Sequence, residues 1–320
     1  MIRIVKKFES IKTCALLTHI SMDGDTLCSC LALKELLVSK GILADVIVED
    51  EIPDNLKFLN AYVISFSAKS SYPEYDLAIA LDCASKDRLG ERNSIFSSAQ
   101  SRLVIDHHVS NTGFGDYCYL EPDASSVCEI IFKLYKFMGT NISITAAEYI
   151  YTGIVTDTGS FKYSNTTSDT MQCAGELINL GVDNAYICDE ALDTKTLAEL
   201  RIQALAVENT IFFHSGKTAL VYITQEMIDK TGAKEGDMSG ISSVLRSIVG
   251  VTTAAILKDS DNSIKISMRS LGTVDVAKVC SALGGGGHVR AAGATVYDMS
   301  AKEIINYLEK KIGAAYGRSD

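Results

Sequence analysis

The chain has 320 residues and a formal net charge of −10; 47% of its residues are apolar and only three are proline. That length and apolar share suit two domains with buried cores and exclude a disordered chain. The acidic balance excludes a protein that tracks long DNA or RNA, which needs a basic stripe for phosphate contacts. Phosphates on a ligand must then be held locally, by metal ions and a few arginines, which favours small or very short substrates.

Met1 to Ser10 carries two lysines and an arginine, but no signal-peptide pattern follows, and Lys34 and Glu35 interrupt the apolar stretch Leu31 to Val38. No run approaches the roughly 18 apolar residues that span a bilayer, so the expectation is a soluble, cytoplasmic protein without membrane association. The nine cysteines include no C-x-x-C pair, Cys28 and Cys30 being the nearest two. An odd count without a secretion signal fits reduced, mostly buried thiols.

In chain order, Cys14 to Thr18 reads as a buried strand that ends in His19 and the loop Ile20 to Gly24. Leucines at helical spacing predict a helix from Thr26 to Ser39, stopped by Gly41. Strands follow at Ala44 to Val48, at Leu77 to Leu81 delivering Asp82, and at Leu103 to Ile105 delivering Asp106-His107-His108. Alternating strands and helices imply a parallel sheet with helices on both faces, whose ligands bind beyond the carboxyl ends of the strands. Asp123 reads as the N-cap of a helix from Ala124 to Met138, and Thr145 to Val155 as another, with Asp157 at its end. Helical patterns continue over Thr167 to Leu180 and Thr194 to Glu208. Thereafter the texture becomes strands at Thr218 to Ile223, Thr252 to Leu257 and Ser263 to Arg269, with helices at Ser239 to Ile248, Val274 to Leu283 and Ala301 to Ile312. The expected architecture is α/β: an N-terminal parallel-sheet domain over 1–190, a connector helix over 191–208 and a smaller α/β domain over 209–320.

Four polar clusters carry the chemistry: His19-x-x-x-Asp23-Gly24-Asp25, Asp82, Asp106-His107-His108 and Asp157. Each alone has a plainer reading. Asp25 suits a helix N-cap, Asp82-Cys83-Ala84-Ser85 a strand-to-helix loop, and an isolated histidine a packed or surface position. Together they do not, because four of only five histidines (His19, His107, His108 and His288) fall inside the unusual stretches and only His214 is left as structural. Two divalent cations about 3.5–4 Å apart need several carboxylates, at least one bridging, with imidazoles completing the shells. Asp82 could bridge, with Gly24 letting Asp23 and Asp25 face different ions. Mixed imidazole and carboxylate ligation leans toward Mn2+, with Mg2+ or others as alternatives. A second cluster, Gly284-Gly285-Gly286-Gly287-His288 before Val289-Arg290-Ala291-Ala292-Gly293, offers bare backbone N–H groups to a phosphate, beside the bidentate fork of Arg269. It is neither a dinucleotide fingerprint nor a P-loop, and a merely flexible loop is its plainer reading.

These residues resemble the DHH phosphoesterases that carry a DHH-associated C-terminal domain, in particular their bifunctional oligoribonuclease/pAp phosphatase group. The resemblance rests on His19-x-x-x-Asp23-Gly24-Asp25, Asp82-x-x-Ser85-x-x-Arg88, Asp106-His107-His108-x-Ser110-Asn111, Thr156-Asp157-Thr158-Gly159-Ser160-Phe161, Arg269-Ser270 and the glycine run through Gly293, nearly the whole chain. It implies a manganese-dependent enzyme that hydrolyses short oligoribonucleotides and small nucleotides such as pAp or pApA, by attack of metal-activated water on phosphorus. It further implies one ion on His19, Asp23 and Asp82 and a second on Asp25, Asp82, His107 and Asp157, with Asp106 orienting ligands and His108 on the scissile phosphate or leaving oxygen. Arg88, Asn111, Arg269, Gly285, Gly286, Gly287 and His288 are the expected substrate-binding residues, those of the second domain holding the distal nucleotide across a cleft. A homodimer is expected from the group alone. Ser21-Met22 stands where the group often has Asn-Pro, and Cys83 where threonine is common; neither is an expected ligand. The alternatives are a manganese-dependent inorganic pyrophosphatase, which would leave the glycine run unexplained, and a non-catalytic nucleotide-sensing module, which predicts a lost ligand.

Overall fold

The computed structural model describes residues 1–260 and 262–317. The chain divides into two compact units, Met1–Thr194 and Lys195–Asp320.

The first unit runs α1 (Ile2–Phe8), β1 (Thr13–Leu17), α2 (Gly24–Ser39), β2 (Leu43–Val48), β3 (Ile64–Ser65), β4 (Leu77–Leu81), α3 (Asn93–Ser98), β5 (Arg102–Asp106), β6 (Tyr117–Leu120), α4 (Val127–Phe137), α5 (Ile144–Asp157), α6 (Ser168–Asn179) and α7 (Asn184–Cys188). Its six strands form one parallel sheet in the order β3-β2-β1-β4-β5-β6. The apolar runs of β1, β4 and β5 are buried on both faces, as a parallel sheet covered by helices requires. Leu16, Ile79, Leu81 and Ile105 pack under α2, α4 and α5, while Ala15, Leu17, Ala78 and Val104 pack under Ile95 and Phe96 of α3. The strand order reverses between β1 and β4, which opens a crevice at their carboxyl ends.

Asp23 caps α2, its side chain accepting from the Thr26 N–H, which removes the plainer N-cap reading of Asp25. One sequence expectation is corrected. Helix α4 starts at Val127 under the Ser126 cap rather than after Asp123. The late start lets the Val127 and Cys128 N–H groups point at Asp25. The short β3 and β6 were not anticipated. They sit at the sheet edges, where few side chains are buried and no apolar run is needed.

The second unit runs α8 (Leu197–Glu208), β7 (Ile211–Phe213), β8 (Thr218–Ile223), α9 (Gln225–Thr231), α10 (Ile241–Arg246), β9 (Thr253–Ser260), β10 (Ser263–Ser270), α11 (Val276–Ser281), β11 (Gly286–His288), β12 (Ala291–Val296) and α12 (Ala301–Tyr316). Helix α8, expected as a connector, falls within this unit and packs through Ile202 and Ala206 beneath β8 and β9. The sheet order is β11-β12-β10-β9-β8-β7, antiparallel except for the β8–β9 pair. Period-two alternation along β10 sends Ile264, Ile266 and Met268 into the core under α11 and α12. Lys265, Ser267 and Arg269 point to the other face, opposite Lys258, Ile256 and Ala254 of β9. Among the described residues, no helix is long and apolar enough to cross a membrane.

Candidate metal centre

Three parallel strands end side by side, and each hands its next residues to the same crevice. His19 follows β1, Asp82 follows β4, and Asp106 closes β5 ahead of His107 and His108. Asp82 adopts φ 55°, a left-handed conformation uncommon outside glycine and most open to Asn and Asp, and such positions gather at functional sites. Its two oxygens face opposite ways. Oδ2 lies 3.5 Å from His19 Nε2, which is itself 3.7 Å from Asp23 Oδ2. Oδ1 lies 3.4 Å from His107 Nε2, which is 3.7 Å from Asp157 Oδ2. Donor atoms of His19, Asp23 and Asp82, and of Asp25, His107 and Asp157, lie within 4.8 Å of one another in each set.

The local structure aims these donors. His107 Nδ1 lies 3.1 Å from the Ala124 carbonyl, so Nδ1–H donates there and the Nε2 lone pair turns to the carboxylates. His19 Nδ1 sits 2.8 Å from the Ile20 carbonyl and 2.8 Å from an Arg88 guanidinium nitrogen. The two contacts require opposite tautomers, and only the carbonyl contact leaves Nε2 free to ligate. Buried Asp25 accepts from the Val127 and Cys128 N–H groups at 2.7 and 2.9 Å, where the α4 N-terminus favours negative charge. Asp157 is at the end of α5, where the helix dipole opposes a carboxylate, and Asn165 Nδ2 steadies it at 3.3 Å. Gly24 does not bend the backbone as expected. Its Cβ would strike the Thr156 side chain, so glycine here lets α2 abut the end of α5 that carries Asp157. Gly153 does the same beside Cys128 and Asp25. Gly153 and Asn165 were not anticipated, since neither carries a local motif signal.

The charges test whether cations fit. Asp25 is raised well above the usual carboxylate range by burial and then by repulsion from Asp82 and Asp157, and Asp157 is raised to about 6, with burial the main cause. Burial works against charge on the two imidazoles, but bonding to the carboxylates outweighs it: Asp23 and Asp82 lift His19 to about 10, and Asp82 with Asp25 lifts His107 to about 10. A cluster of acids that draws protons onto its histidines is short of positive charge. Asp82 Oδ1 is buried without a hydrogen-bond partner, the state of a donor atom shaped for an ion. The residues fit two divalent cations.

Beside this cluster, Asp106 is fully buried and accepts from His108 Nδ1 at 2.7 Å, Asn111 Nδ2 at 2.6 Å and the His107 N–H at 2.8 Å. It fixes the His108 ring, which is 42% exposed and so reaches solvent. Asn111 braces Asp106 and, with Arg88, lies against the cluster. In the second unit, Arg269, Gly284 and Gly285 line a cavity of about 900 Å³, whereas Gly286, Gly287 and His288 form the edge strand β11 and are not among its lining residues. Two glycines have a packing reason of their own: a Cβ on Gly285 or Gly287 would strike the β12 backbone.

A doubly wound sheet with paired imidazole–carboxylate clusters at its switch point, followed by a mixed α/β unit, is the arrangement of a two-domain metal-dependent phosphoesterase. The model of the DHH family N-terminal domain matches residues 13–154, and that of the DHHA1 domain matches residues 217–314. The chain belongs to the DHH family, in its form with a DHHA1 domain. It is 29% identical over 308 residues, 95% of each chain, to the bifunctional oligoribonuclease and PAP phosphatase NrnA of Bacillus subtilis. It is 30% identical to the protein of the same name from Thermus thermophilus, over 87% of this chain and 82% of that one. The crystal structure of an exopolyphosphatase-related protein from Bacteroides fragilis superposes with a TM-score of 0.91 at 28% identity, covering 98% of this chain and 95% of that one.

Proposed function

We propose that the protein is a divalent-metal phosphoesterase that hydrolyses short oligoribonucleotides to mononucleotides and removes phosphate from small nucleotides such as pAp. The observation that carries this reading is Asp82, whose two oxygens serve two separate His/Asp groups and one of which is buried without a partner. The named activities of the Bacillus and Thermus relatives support the substrate class.

His19, Asp23 and Asp82 would hold one ion and Asp25, Asp82, His107 and Asp157 the other, with Mn2+ the metal this donor set favours. When bound, the two ions neutralise charge on the phosphoryl group and lower the pKa of water. The protein's own contribution is positional. The Ile20 and Ala124 carbonyls fix the imidazole tautomers. Asp106 holds His108 Nδ1, which leaves Nε2 to bind the scissile phosphate or give a proton to the leaving oxygen. Arg88 and Asn111 flank the reacting phosphate. Arg269, Gly284 and Gly285, which line the cavity of the second unit, are that unit's candidate contacts to nucleotide. The net charge of −10 favours short substrates.

The test is Mn2+-dependent hydrolysis of pyrophosphate, pAp, pApA and RNAs of two to about twenty nucleotides, with Asp82→Asn alongside. Asn tolerates the left-handed backbone at position 82, so the change removes charge without refolding the turn. Rates highest on pAp or the shortest RNAs, falling at least about a thousandfold in Asp82→Asn, are expected. Turnover of pyrophosphate alone would sink the reading.

A further inference from the structure

One short stretch of chain reaches the three ligands that belong to the second ion group alone, Asp25, His107 and Asp157, two directly and one through a neighbour. Residues 124–128, which lead into α4, offer the Ala124 carbonyl to His107 Nδ1 at 3.1 Å and the Val127 and Cys128 N–H groups to Asp25. The Ser125 carbonyl between them accepts at 2.9 Å from Asn165 Nδ2, which also lies 3.2 Å from the Asp157 carbonyl and 3.3 Å from Asp157 Oδ2. Asn165 thus ties the third ligand to the stretch that holds the other two. Among the described residues it bonds to none of His19, Asp23 and Asp82, the group of the first ion.

The Asn165 amide can sit only one way round. Its nitrogen faces three oxygens, and a flipped amide would set Oδ1 against all of them. That orientation leaves Oδ1 buried without a partner, an unfavourable state that the fold tolerates to present N–H groups here. A carboxylate oxygen has two lone-pair directions, so an N–H on one side of Asp157 Oδ2 leaves the other for an ion. Asp157 needs this support because it ends α5, where the last carbonyls lack partners and the helix dipole opposes negative charge. The intervening turn delivers the contact. Gly159, Ser160 and Phe161 take φ 54°, 57° and 63° in succession, and the chain returns to place Asn165 against Asp157. Left-handed backbone at two consecutive residues with side chains is strained, and anchors hold it. The Ser160 N–H donates to the Val155 carbonyl at 2.8 Å, the Phe161 N–H donates to Thr158 Oγ1 at 3.1 Å, and the Phe161 ring meets Tyr151 edge-on.

We propose that Asn165 is a positioning residue that sets the affinity of the second ion and so decides whether the centre holds one ion or two. The inference rests on the phosphoesterase reading for its two-ion assignment and deepens it by naming a determinant of one ion alone. Losing the outer partner of a metal-ligating side chain typically weakens the metal about tenfold to a hundredfold. Because Asn165 reaches only one of the two groups, that loss should fall on one binding event and spare the other.

The full chain, stripped of metal with a chelator, is titrated with Mn2+ by calorimetry and then read by electron paramagnetic resonance. Two binding events and the spin-coupled signal of a bridged pair are expected in the unsubstituted protein. Asn165→Leu, nearly isosteric but without N–H groups, should weaken one event about tenfold to a hundredfold and leave the other unchanged. At stoichiometric Mn2+ its spectrum should be that of an isolated ion, and excess Mn2+ should restore the coupled signal and pAp hydrolysis together. Asn165→Gln returns the amide and should recover part of the affinity. Asn165→Ala removes the same N–H groups with less bulk and repeats the test if a thermal melt shows Asn165→Leu unfolded. Equal weakening of both events, no weakening of either, or a single event in the unsubstituted protein would overturn the proposal. If both ions bind and Asn165→Leu weakens only one, yet no nucleotide is hydrolysed, the phosphoesterase reading fails and the role of Asn165 stands. Hydrolysis of pAp with both events unmoved in Asn165→Leu would remove that role and leave the phosphoesterase reading intact.

Discussion

The two units handle charge in opposite ways. In the first, buried Asp25 and Asp82 crowd against half-buried Asp157; burial with mutual repulsion raises Asp25 and Asp157, while the carboxylates raise His107. In the second, the sheet face that carries Arg269 pairs Lys258 and Lys265 with Glu235, while among the described residues no carboxylate pairs with Arg269. One region is short of cations and the other of anions, so each is suited to a ligand of the opposite charge. Complementarity of this kind serves binding at a cost in the stability of the unliganded fold.

The sharpest way to break the comparison is to disable His108, which borders the acidic cluster through Asp106 and Asp82 but is not one of the expected ion ligands. His108→Asn removes the ring that Asp106 orients, and kcat should fall about a hundredfold to ten-thousandfold, the usual span for a lost general acid or base. Metal content, read by atomic emission, should be unchanged, because the two ion groups keep their ligands. Loss of metal along with activity would place His108 among the ligands instead, on the strength of its 3.5 Å approach to Asp82.

A smaller effect sharpens the contrast directly. Mn2+ at a hundred times its Kd should stabilise the folded chain by about 2.7 kcal/mol through mass action. The gain, followed as a rise in Tm, should vanish in Asp82→Asn and survive in Arg269→Gln. Stabilisation that survived Asp82→Asn would put the ions elsewhere.

The first region was far more legible in the sequence than the second. Leu77 to Leu81 and Leu103 to Ile105 are apolar runs ending abruptly in Asp82 and Asp106, and a buried parallel strand leaves nowhere for such residues except its carboxyl end. The family named from those motifs is the family the chain belongs to. The supports around the ligands were invisible because they depend on contacts between distant segments. Asn165 reaches Asp157 and Ser125, Gly153 makes room for Cys128, and Asp25 meets α4 a hundred residues away. The glycine run was recognised as unusual, but the reading of it as a bare phosphate cradle missed strand β12. Ala291 to Val296 mixes small residues without clear alternation, and only the paired structure shows why its neighbour must be glycine. Gly285→Ala tests this: the added methyl would strike the β12 backbone, which cannot swing aside like a flexible side chain. The cost should be about 1–3 kcal/mol in chemical denaturation, and a neutral result would show that packing against β12 does not require glycine there.

The smallest expected effect concerns a charge that the first unit does satisfy. Glu129 on α4 is almost fully buried, yet it accepts from the Ser125 N–H and hydroxyl and from the Thr170 hydroxyl, and pairs with Lys133 at 2.8 Å. Burial raises its pKa, but the bonds from Lys133, Ser125 and Thr170 outweigh burial and hold the carboxyl below its usual 4.5. Its folded value is therefore lower than its unfolded value. The stability it contributes is in full force above about pH 4.5 and is lost as pH falls through the depressed folded value. Glu129→Gln keeps the shape and an acceptor but loses the charge, and should cost about 1–2 kcal/mol at pH 7. Urea melts from pH 7 down to pH 3 should show the gap between Glu129→Gln and the unsubstituted protein closing in acid. A gap that stayed constant would assign the loss to packing. Because Ser125 lies between this carboxylate and the α4 N-terminus that holds Asp25, Glu129→Gln should also weaken Mn2+ binding modestly. Lost charge complementarity in α4 would then reach the ion site through the backbone rather than across space.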